Sequence, residues 1–216
     1  MELHEWIEFL SWACIVITLL GYMAGIPTCY DIFTSKSTNA IPFLPFLFGF
    51  IANVGCLWYG IRIWDFPTLV CNTTGSALYT VYVAVYLIYT NKKASTFQLS
   101  FLTAIGLISF YLYLTQLVVS QADITYQLGL SIATFILIWN VSPILEIREV
   151  MHTKSSECLS PTLSLAMLMS SIAWGLYGHA IDDIFIAGPC IPGIFSGFIQ
   201  LLLWYTYPAT KTVKTD

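Results

Sequence analysis

Hydrophobic residues run through this chain in long stretches, and the charged residues are confined to the short segments between them. Seven stretches of 22 to 29 residues contain no Asp, Glu, Lys or Arg: 9–30, 37–61, 66–91, 94–122, 124–145, 158–181 and 184–210. A helix needs about 20 apolar residues to cross a hydrocarbon core about 30 Å thick. The pattern therefore predicts an all-α integral membrane protein with seven transmembrane helices.

Composition narrows the possible functions. The 216 residues are 57% hydrophobic and 9% charged, whereas soluble domains average about 25% charged residues. The formal net charge of −4 argues against a nucleic-acid partner. The six cysteines show neither zinc-ligand spacing nor a secreted disulfide framework. No catalytic set of side chains falls within the seven stretches, so we predict a lipid-embedded protein with no enzyme activity, metal or cofactor.

The basic residues predict the orientation in the membrane. With the N-terminus outside, seven of the eight basic residues lie on the cytosolic side: Lys36, Lys92, Lys93, Arg148, Lys154, Lys211 and Lys214. Arg62 is the exception. Cytosolic loops of membrane proteins carry an excess of Lys and Arg. We therefore expect an extracellular or lumenal N-terminus and a cytosolic C-terminus, with the plasma membrane favoured over Golgi or endosomal membranes.

The second half of the chain repeats the motifs of the first half in the same order. The matching positions are Pro27 with Pro143 and Pro45 with Pro161, offset by 116 residues, and Lys36 with Lys154, Tyr59 with Tyr177 and Asp65 with Asp183, offset by 118. Because this offset spans four helices, an even number, the two copies cross the membrane in the same direction. We predict two parallel three-helix repeats, residues 1–93 and 123–216, joined by a linker helix over residues 94–122.

Several of these motifs resemble the SWEET (MtN3/saliva) sugar transporters. The shared motifs are the Pro27 segment, the two Lys-Ser loops, Pro45 with Tyr59-Gly60, Asn72-Thr73-Thr74-Gly75, Ser142-Pro143, and Pro161 with Trp174 to Gly178. They fall within residues 20–90 and 138–208, on both repeats. The resemblance implies a 3+1+3 arrangement of helices, passive movement of a sugar down its gradient and assembly into homo-oligomers.

Asn72 lies in the middle of the third charge-free stretch, where a polar side chain must find a partner or face a cavity. Its amide offers an acceptor oxygen and a donor NH₂ group, which suits the hydroxyls of a sugar. The residues alone leave two interpretations open, an interhelical hydrogen bond and a ligand contact. The resemblance implies the ligand contact.

Three further residues complete the predicted substrate site. Trp174, halfway through the sixth stretch, offers an aromatic plane for the C–H face of a sugar, with simple core packing as the alternative. Cys56 is its counterpart, since each lies three residues before the tyrosine of a Tyr-Gly pair. The resemblance implies that a tryptophan here goes with a pocket sized for monosaccharides, and that an asparagine is usual at the position of Cys190. Cysteine is a weak donor and a poor acceptor, so we expect this side of the site to bind hydroxyls less strongly.

Four prolines form the predicted hinge set. Pro27 and Pro143 predict breaks in the first and fifth helices, because each removes an N–H donor and frees the carbonyl four residues earlier. Pro45 and Pro161 lie near helix starts, where a proline in the first helical turn is the alternative interpretation. The resemblance implies that all four act near a cytosolic gate and permit alternating access around a mid-membrane site.

Ion coupling is not expected. The seven stretches hold no acidic or basic residue, and the three histidines lie at helix ends or in loops. Proton-coupled carriers normally keep an ionisable residue inside the membrane. The sequence and its resemblance therefore predict a facilitative, uncoupled transporter of small sugars such as glucose. A seven-helix membrane receptor is the alternative with the same topology, but such receptors lack an internal repeat with this offset.

Overall fold

The computed structural model describes residues 3–23, 25–39, 41–139, 141–157 and 159–207, and all regular structure within these ranges is helical. The helices are α1 (Leu3–Met23), α2 (Gly25–Ser35), α3 (Leu44–Ile63), α4 (Phe66–Tyr89), α5 (Lys93–Leu112), α6 (Gln121–Trp139), α7 (Val141–Thr153), α8 (Pro161–Ala180), α9 (Ile184–Ala187) and α10 (Cys190–Thr206). A π-helical turn, Tyr113–Leu117, extends α5. Cys158, Lys211 and Lys214, which entered the sequence arguments, lie outside the described residues.

These helices make seven long segments, because α1 with α2, α6 with α7, and α9 with α10 follow one another closely. Five segments are long and apolar enough to cross a membrane: His4–Ser35, Leu44–Ile63, Lys93–Leu117, Gln121–Thr153 and Ile184–Thr206. The other two are α4 and α8, with 24 and 20 residues. Hydroxyl and amide side chains, such as Asn72 in α4 and Ser171 in α8, lower the hydropathy of these two helices. Each predicted stretch therefore contains a helix of spanning length.

Large apolar side chains cover the outer surface of the helices. Trp64, Leu117 and Tyr205 are 82%, 72% and 83% exposed, and exposed aliphatic or aromatic residues occur on each of the seven segments. Soluble monomers rarely expose apolar surface on this scale, whereas lipid tails accept it. Among the residues of α5, Thr96 is the one that is buried, so most of this helix faces away from the protein interior.

The chain packs as two compact units. The first-repeat unit comprises Thr18–Ile132, and the second-repeat unit comprises Met1–Ile17 and Ala133–Asp216. The core of the first-repeat unit is built from Ile32, Phe43, Phe46, Leu47, Tyr82 and Tyr86. The core of the second-repeat unit contains Cys14, Ala173 and Tyr177. α1 and α6 are therefore each divided between the two units.

Left-handed backbone marks the same turns in both units. Lys36 and Lys154 have φ values of 53° and 55°. Trp64 and Asp182 have φ values of 53° and 57°. Such values are uncommon for residues other than glycine. Because each pair is offset by 118 residues, the internal repeat predicted from the sequence is present in the backbone.

A lysine–tyrosine contact joins the first and third helical segments of each repeat. Lys36 Nζ donates to the Tyr89 hydroxyl at 2.9 Å, and Lys154 Nζ donates to the Tyr207 hydroxyl at 3.4 Å. The partner lies 53 residues further along the chain in both cases. Lys36 Nζ also lies 4.2 Å from the ring centre of Phe33. The repeated Lys-Ser loops therefore place a cation at one end of each unit.

An aspartate caps the helix that follows each Tyr-Gly pair. Asp65 Oδ2 accepts a hydrogen bond from the Thr68 N–H at 3.0 Å. Asp183 Oδ1 accepts from the N–H groups of Phe185 at 2.9 Å and Ile186 at 3.2 Å. The first turn of a helix leaves such N–H groups without backbone partners. This capping explains why an acidic residue recurs at these two positions.

The glycine of each Tyr-Gly pair lies where two helices approach closely. A Cβ atom on Gly60 would lie 2.8 Å from Thr68 Cγ2. A Cβ atom on Gly178 would lie 2.6 Å from the Ala187 backbone nitrogen. Both distances are too short for a larger residue, so the recurring glycine follows from close packing.

Candidate functional site

Pro27 and Pro143 each lie in the first turn of a described helix. Pro27 is the third residue of α2 and Pro143 is the third residue of α7, and residues 24 and 140, which separate these helices from α1 and α6, lie outside the described residues. The predicted helix breaks therefore stay predictions. Close to Pro27, the Tyr82 hydroxyl donates to the backbone carbonyl of Tyr22 at 3.2 Å. A side chain of α4 thus supplies a hydrogen bond to the backbone near this proline.

Pro45 and Pro161 both lie in the first turn of a helix. Pro45 is the second residue of α3, and Pro161 is the first residue of α8. Ser160 caps α8, since its Oγ accepts from the Leu163 N–H at 3.4 Å. A proline in this turn loses no helical hydrogen bond, so the local geometry needs no hinge to explain it.

Asn72 lies on α4 and bonds within its own helix. Its Nδ2 donates to the Thr68 carbonyl at 2.8 Å, and the side chain is partly exposed. Within the described chain, the hydrogen bonds of Asn72 do not include an interhelical one. Its amide oxygen therefore remains available as a hydrogen-bond acceptor on the surface of α4.

A buried amide close to α4 was missed by the sequence analysis. Asn53 on α3 is 6% exposed, accepts from the Tyr22 hydroxyl at 2.5 Å and donates to the Gly49 carbonyl at 2.8 Å. A Cβ atom on Gly75 would collide with the amide oxygen of Asn53. Gly75, part of the Asn72-Thr73-Thr74-Gly75 motif, is thus the residue that makes room for this hydrogen bond. Asn53 is in the middle of an apolar stretch, which was a usable signal for a functional or structural polar contact.

Cys56 lies one turn after Asn53 on α3 and is partly buried. Residues three apart on a helix share a face, so Cys56 and Asn53 belong to the same side of α3. α3 packs along α4, which carries Asn72. The first-repeat unit therefore combines a thiol and two amides on neighbouring helices.

Trp174 takes part in the core of the second-repeat unit. Its ring meets that of Tyr177 edge to face, with 6.0 Å between centroids. It also packs against the cluster around Cys14, together with Leu10 and Ile17 of α1. Core packing, the alternative interpretation of this residue, therefore accounts for part of its surroundings, while the side chain stays partly exposed.

Cys190 is the first residue of α10, and its thiol is engaged. Its Sγ donates to the carbonyl of Ile186 at 3.2 Å. A Cβ atom on Gly175 would lie 3.4 Å from Cys190 Cβ, which is ordinary contact distance. Gly175, the residue directly after Trp174, therefore packs against Cys190. The two predicted site residues thus belong to adjoining parts of α8 and α10.

A carboxylate also lies within a segment long and apolar enough to cross the membrane. Gln200 Nε2 on α10 donates to Glu146 Oε2 on α7 at 2.8 Å. Glu146 is one residue past the end of the charge-free stretch 124–145, but the helix continues to Thr153. The stretch boundaries thus understated the length of the helix, and the sequence analysis missed this pair.

A family model described as "Sugar efflux transporter for intercellular exchange" (MtN3/saliva) matches the chain twice, at residues 8–94 and 126–212. The chain belongs to the SWEET family. The two matched segments coincide with the two repeats seen in the turns and caps, and the seven helical segments have the 3+1+3 arrangement of this family.

Curated SWEET proteins resemble the chain along nearly its whole length. "Sugar transporter SWEET1" of Rattus norvegicus is 36% identical over 208 residues, which are 96% of this chain and 94% of that protein. The Homo sapiens protein of the same name is 36% identical over 197 residues, 91% of this chain and 89% of that protein. "Bidirectional sugar transporter SWEET12" of Oryza sativa subsp. japonica is 30% identical over 91% of this chain and 66% of that protein.

A solved structure of a eukaryotic SWEET transporter has the same fold. It superimposes with a TM-score of 0.83, covering 93% of this chain and 96% of that one, at 24% sequence identity. The all-α membrane fold predicted from the sequence is confirmed.

Within this SWEET chain, the predicted site residues fall into two groups. Cys56 and Asn72 lie on packed helices of the first-repeat unit, and Trp174 and Cys190 lie on packed helices of the second-repeat unit. Each group offers uncharged polar atoms beside an aromatic or apolar surface. The described residues include no group of three His, Cys, Asp or Glu side chains that could hold a metal ion.

Proposed function

We propose that this protein is a facilitative transporter of small sugars, which moves them down their gradient without ion coupling. The observation that carries the proposal is the family match over both repeats, together with relatives named as sugar transporters that align with nearly the whole chain. A sugar needs uncharged hydrogen-bonding groups and an apolar surface for its C–H faces, and the four candidate residues supply these.

Asn72 is proposed as the principal hydrogen-bonding contact. Its Nδ2 is held by the Thr68 carbonyl, which fixes the side chain and leaves the amide oxygen to accept from a sugar hydroxyl. Trp174 is proposed as the aromatic surface, with Cys56 as its smaller counterpart. Cys190 contributes little hydrogen bonding, because its thiol already donates to Ile186.

The proposed mechanism is alternating access, with bending at Pro27 and Pro143. Both prolines lie within long helical segments, where a proline removes an N–H donor and frees the carbonyl four residues earlier. Pro45 and Pro161 belong to the proposed hinge set by resemblance, although their first-turn positions give them a structural reason of their own.

The proposed setting is the plasma membrane, with the N-terminus outside, the C-terminus in the cytosol and assembly as a homo-oligomer. Arg62, the one basic residue that this orientation leaves outside, is occupied by local contacts. Its guanidinium donates to the Gln121 carbonyl at 3.0 Å and to the Thr125 hydroxyl at 3.4 Å. We also keep residues 1–93, 94–122 and 123–216 as the proposed limits of the two repeats and the linker.

The test is uptake of radiolabelled sugars by cells that lack their own hexose transporters. We expect glucose or another monosaccharide to equilibrate across the membrane but not to accumulate, and an imposed pH gradient to leave the final level unchanged. Accumulation driven by the pH gradient would contradict uniport. Surface-expressed protein that moves none of a panel of hexoses and disaccharides would contradict sugar transport and favour a receptor.

A further inference from the structure

The Glu146–Gln200 pair is unusual for its surroundings. Gln200 is 2% exposed and Glu146 is partly buried. Glu146 precedes the end of α7 at Thr153 by seven residues, which corresponds to about 10 Å along the helix axis. A polar side chain buried among packed helices is costly unless it is paired. The hydrogen bond of 2.8 Å supplies that pairing.

The partner of the carboxylate is a neutral amide and not a cation. In the part of the chain that the structure describes, Glu146 makes no ion pair. A carboxyl group can accept from an amide N–H in either protonation state, because one oxygen keeps free lone pairs when the other is protonated. The geometry thus requires an acceptor at position 146 and does not require a negative charge.

The hydrogen bond lies close to the point where bending is proposed. Glu146 is three residues after Pro143 on α7, and Gln200 belongs to α10. The bond therefore ties the part of α7 beyond Pro143 to another helix of the same unit. A second tie, between Lys154 and Tyr207, lies at the end of α7.

The first-repeat unit is tied differently around Pro27. There Tyr82 of α4 donates to the carbonyl of Tyr22, which lies in α1 before Pro27. Beyond Pro27, α2 is tied to α4 by the side-chain hydrogen bond that Lys36, just past its end, makes with Tyr89. In the second-repeat unit the part of α7 beyond Pro143 is held along its length as well as at its end.

We propose that the Glu146–Gln200 hydrogen bond is a latch that positions α7 against α10 and that must form and break as the protein changes conformation. The proposal rests on the function proposed above. Glu146 acts in it as a positioning residue and as a hydrogen-bond acceptor, not as a proton carrier. The latch therefore agrees with uncoupled transport, although Glu146 is a carboxyl group in a helical segment long and apolar enough to cross a membrane.

The test compares variants that differ in hydrogen-bonding capacity at the two positions. Glu146→Gln keeps an acceptor and loses the charge, whereas Glu146→Leu loses both. Gln200→Leu loses the donor, and the exchanged pair Glu146→Gln with Gln200→Glu restores one donor and one acceptor. Glu149→Leu is the matched control, since Glu149 is an exposed acidic residue on the same helix.

The first readout is amide hydrogen exchange of α7 in the purified full-length protein. A buried donor or acceptor left without its partner corresponds to a rise in local opening of about tenfold, which we expect for Glu146→Leu and Gln200→Leu. Glu146→Gln, the exchanged pair and Glu149→Leu should exchange as the unaltered protein does. Unchanged exchange in Glu146→Leu and Gln200→Leu would overturn the latch. If neither single variant folds, recovery of folded protein in the exchanged pair supports the pairing, and failure of that pair contradicts it.

The second readout is sugar uptake at varied concentration. We expect the maximal rate of Glu146→Leu to fall by about tenfold with little change in the half-saturating concentration, because the latch acts on the conformational step. Glu146→Gln should match the unaltered protein. A defect in Glu146→Gln as large as that in Glu146→Leu would show that the charge matters and would overturn the acceptor role. If the unaltered protein moves no sugar, the proposed function fails, while hydrogen exchange still decides whether the pair holds α7.

Discussion

The two repeat units share their turns and caps but differ in their polar interiors. Each unit has a lysine with left-handed backbone, an aspartate that caps a helix and a glycine at a close helix contact. The matching residues of the two units lie 118 positions apart. Inside, the first-repeat unit has the Tyr22–Asn53 hydrogen bond, whereas the second has Glu146 with Gln200. The two units therefore keep the same helix ends and the same architecture although their polar interiors differ.

Substitution of the glycine in each Tyr-Gly pair should have the largest effect on stability. At Gly178 a new Cβ would meet the backbone of Ala187, whereas at Gly60 it would meet the side chain of Thr68, which can rotate. We expect Gly178→Ala to cost about 3 kcal/mol of stability and Gly60→Ala about 1 kcal/mol, since overpacking against backbone is relieved least. Thermal unfolding in detergent measures both. Equal losses would mean that the two close approaches are equivalent.

Substitutions of Asn72 and Cys190 test whether the two units contribute differently to sugar binding. Asn72→Ala removes an acceptor oxygen that is available to a sugar, worth about 1.4 kcal/mol or a tenfold rise in half-saturating concentration. Cys190→Ala should change that concentration by about twofold or less, because a thiol is a weak hydrogen-bonding group that is already engaged. Concentration-dependent uptake measures both. A larger effect at Cys190 than at Asn72 would reverse the proposed roles.

The lysine–tyrosine contacts predict the smallest effects. Lys36 is closer to its tyrosine hydroxyl than Lys154 and also lies over the Phe33 ring. We expect Lys36→Ala to cost about 0.5–1 kcal/mol and Lys154→Ala about half as much, because both lysines are exposed. Thermal unfolding at low and high salt would measure the difference. A larger loss for Lys154→Ala would show that its contact is the stronger of the two.

The helices and the repeat could be predicted because their signals are local. A helix in a membrane excludes charge over its whole length, so the charge-free stretches locate α3 and α4 directly. The loop at Lys36 and its copy at Lys154 contain enough distinctive residues to show the offset. The ends of helices were less accurate, as Glu146 shows, because a charged residue can still lie within a helix when it has a partner.

The interior polar contacts could not be predicted because they depend on how helices are rotated about their axes. Tyr22 and Asn53 are 31 residues apart, and Glu146 and Gln200 are 54 apart. Neither spacing indicates contact by itself. Asn72 was found because it belongs to a recognisable motif, whereas Asn53, which is more deeply buried, belongs to none that the sequence analysis used.

The left-handed residues have a practical consequence for protein engineering. A side chain in this conformation stores about 1 kcal/mol of backbone strain, which glycine would not carry. Trp64 and Asp182 are both exposed, so glycine at either position would sacrifice little packing within the protein. These two positions are therefore starting points for a thermostabilised form suited to purification in detergent.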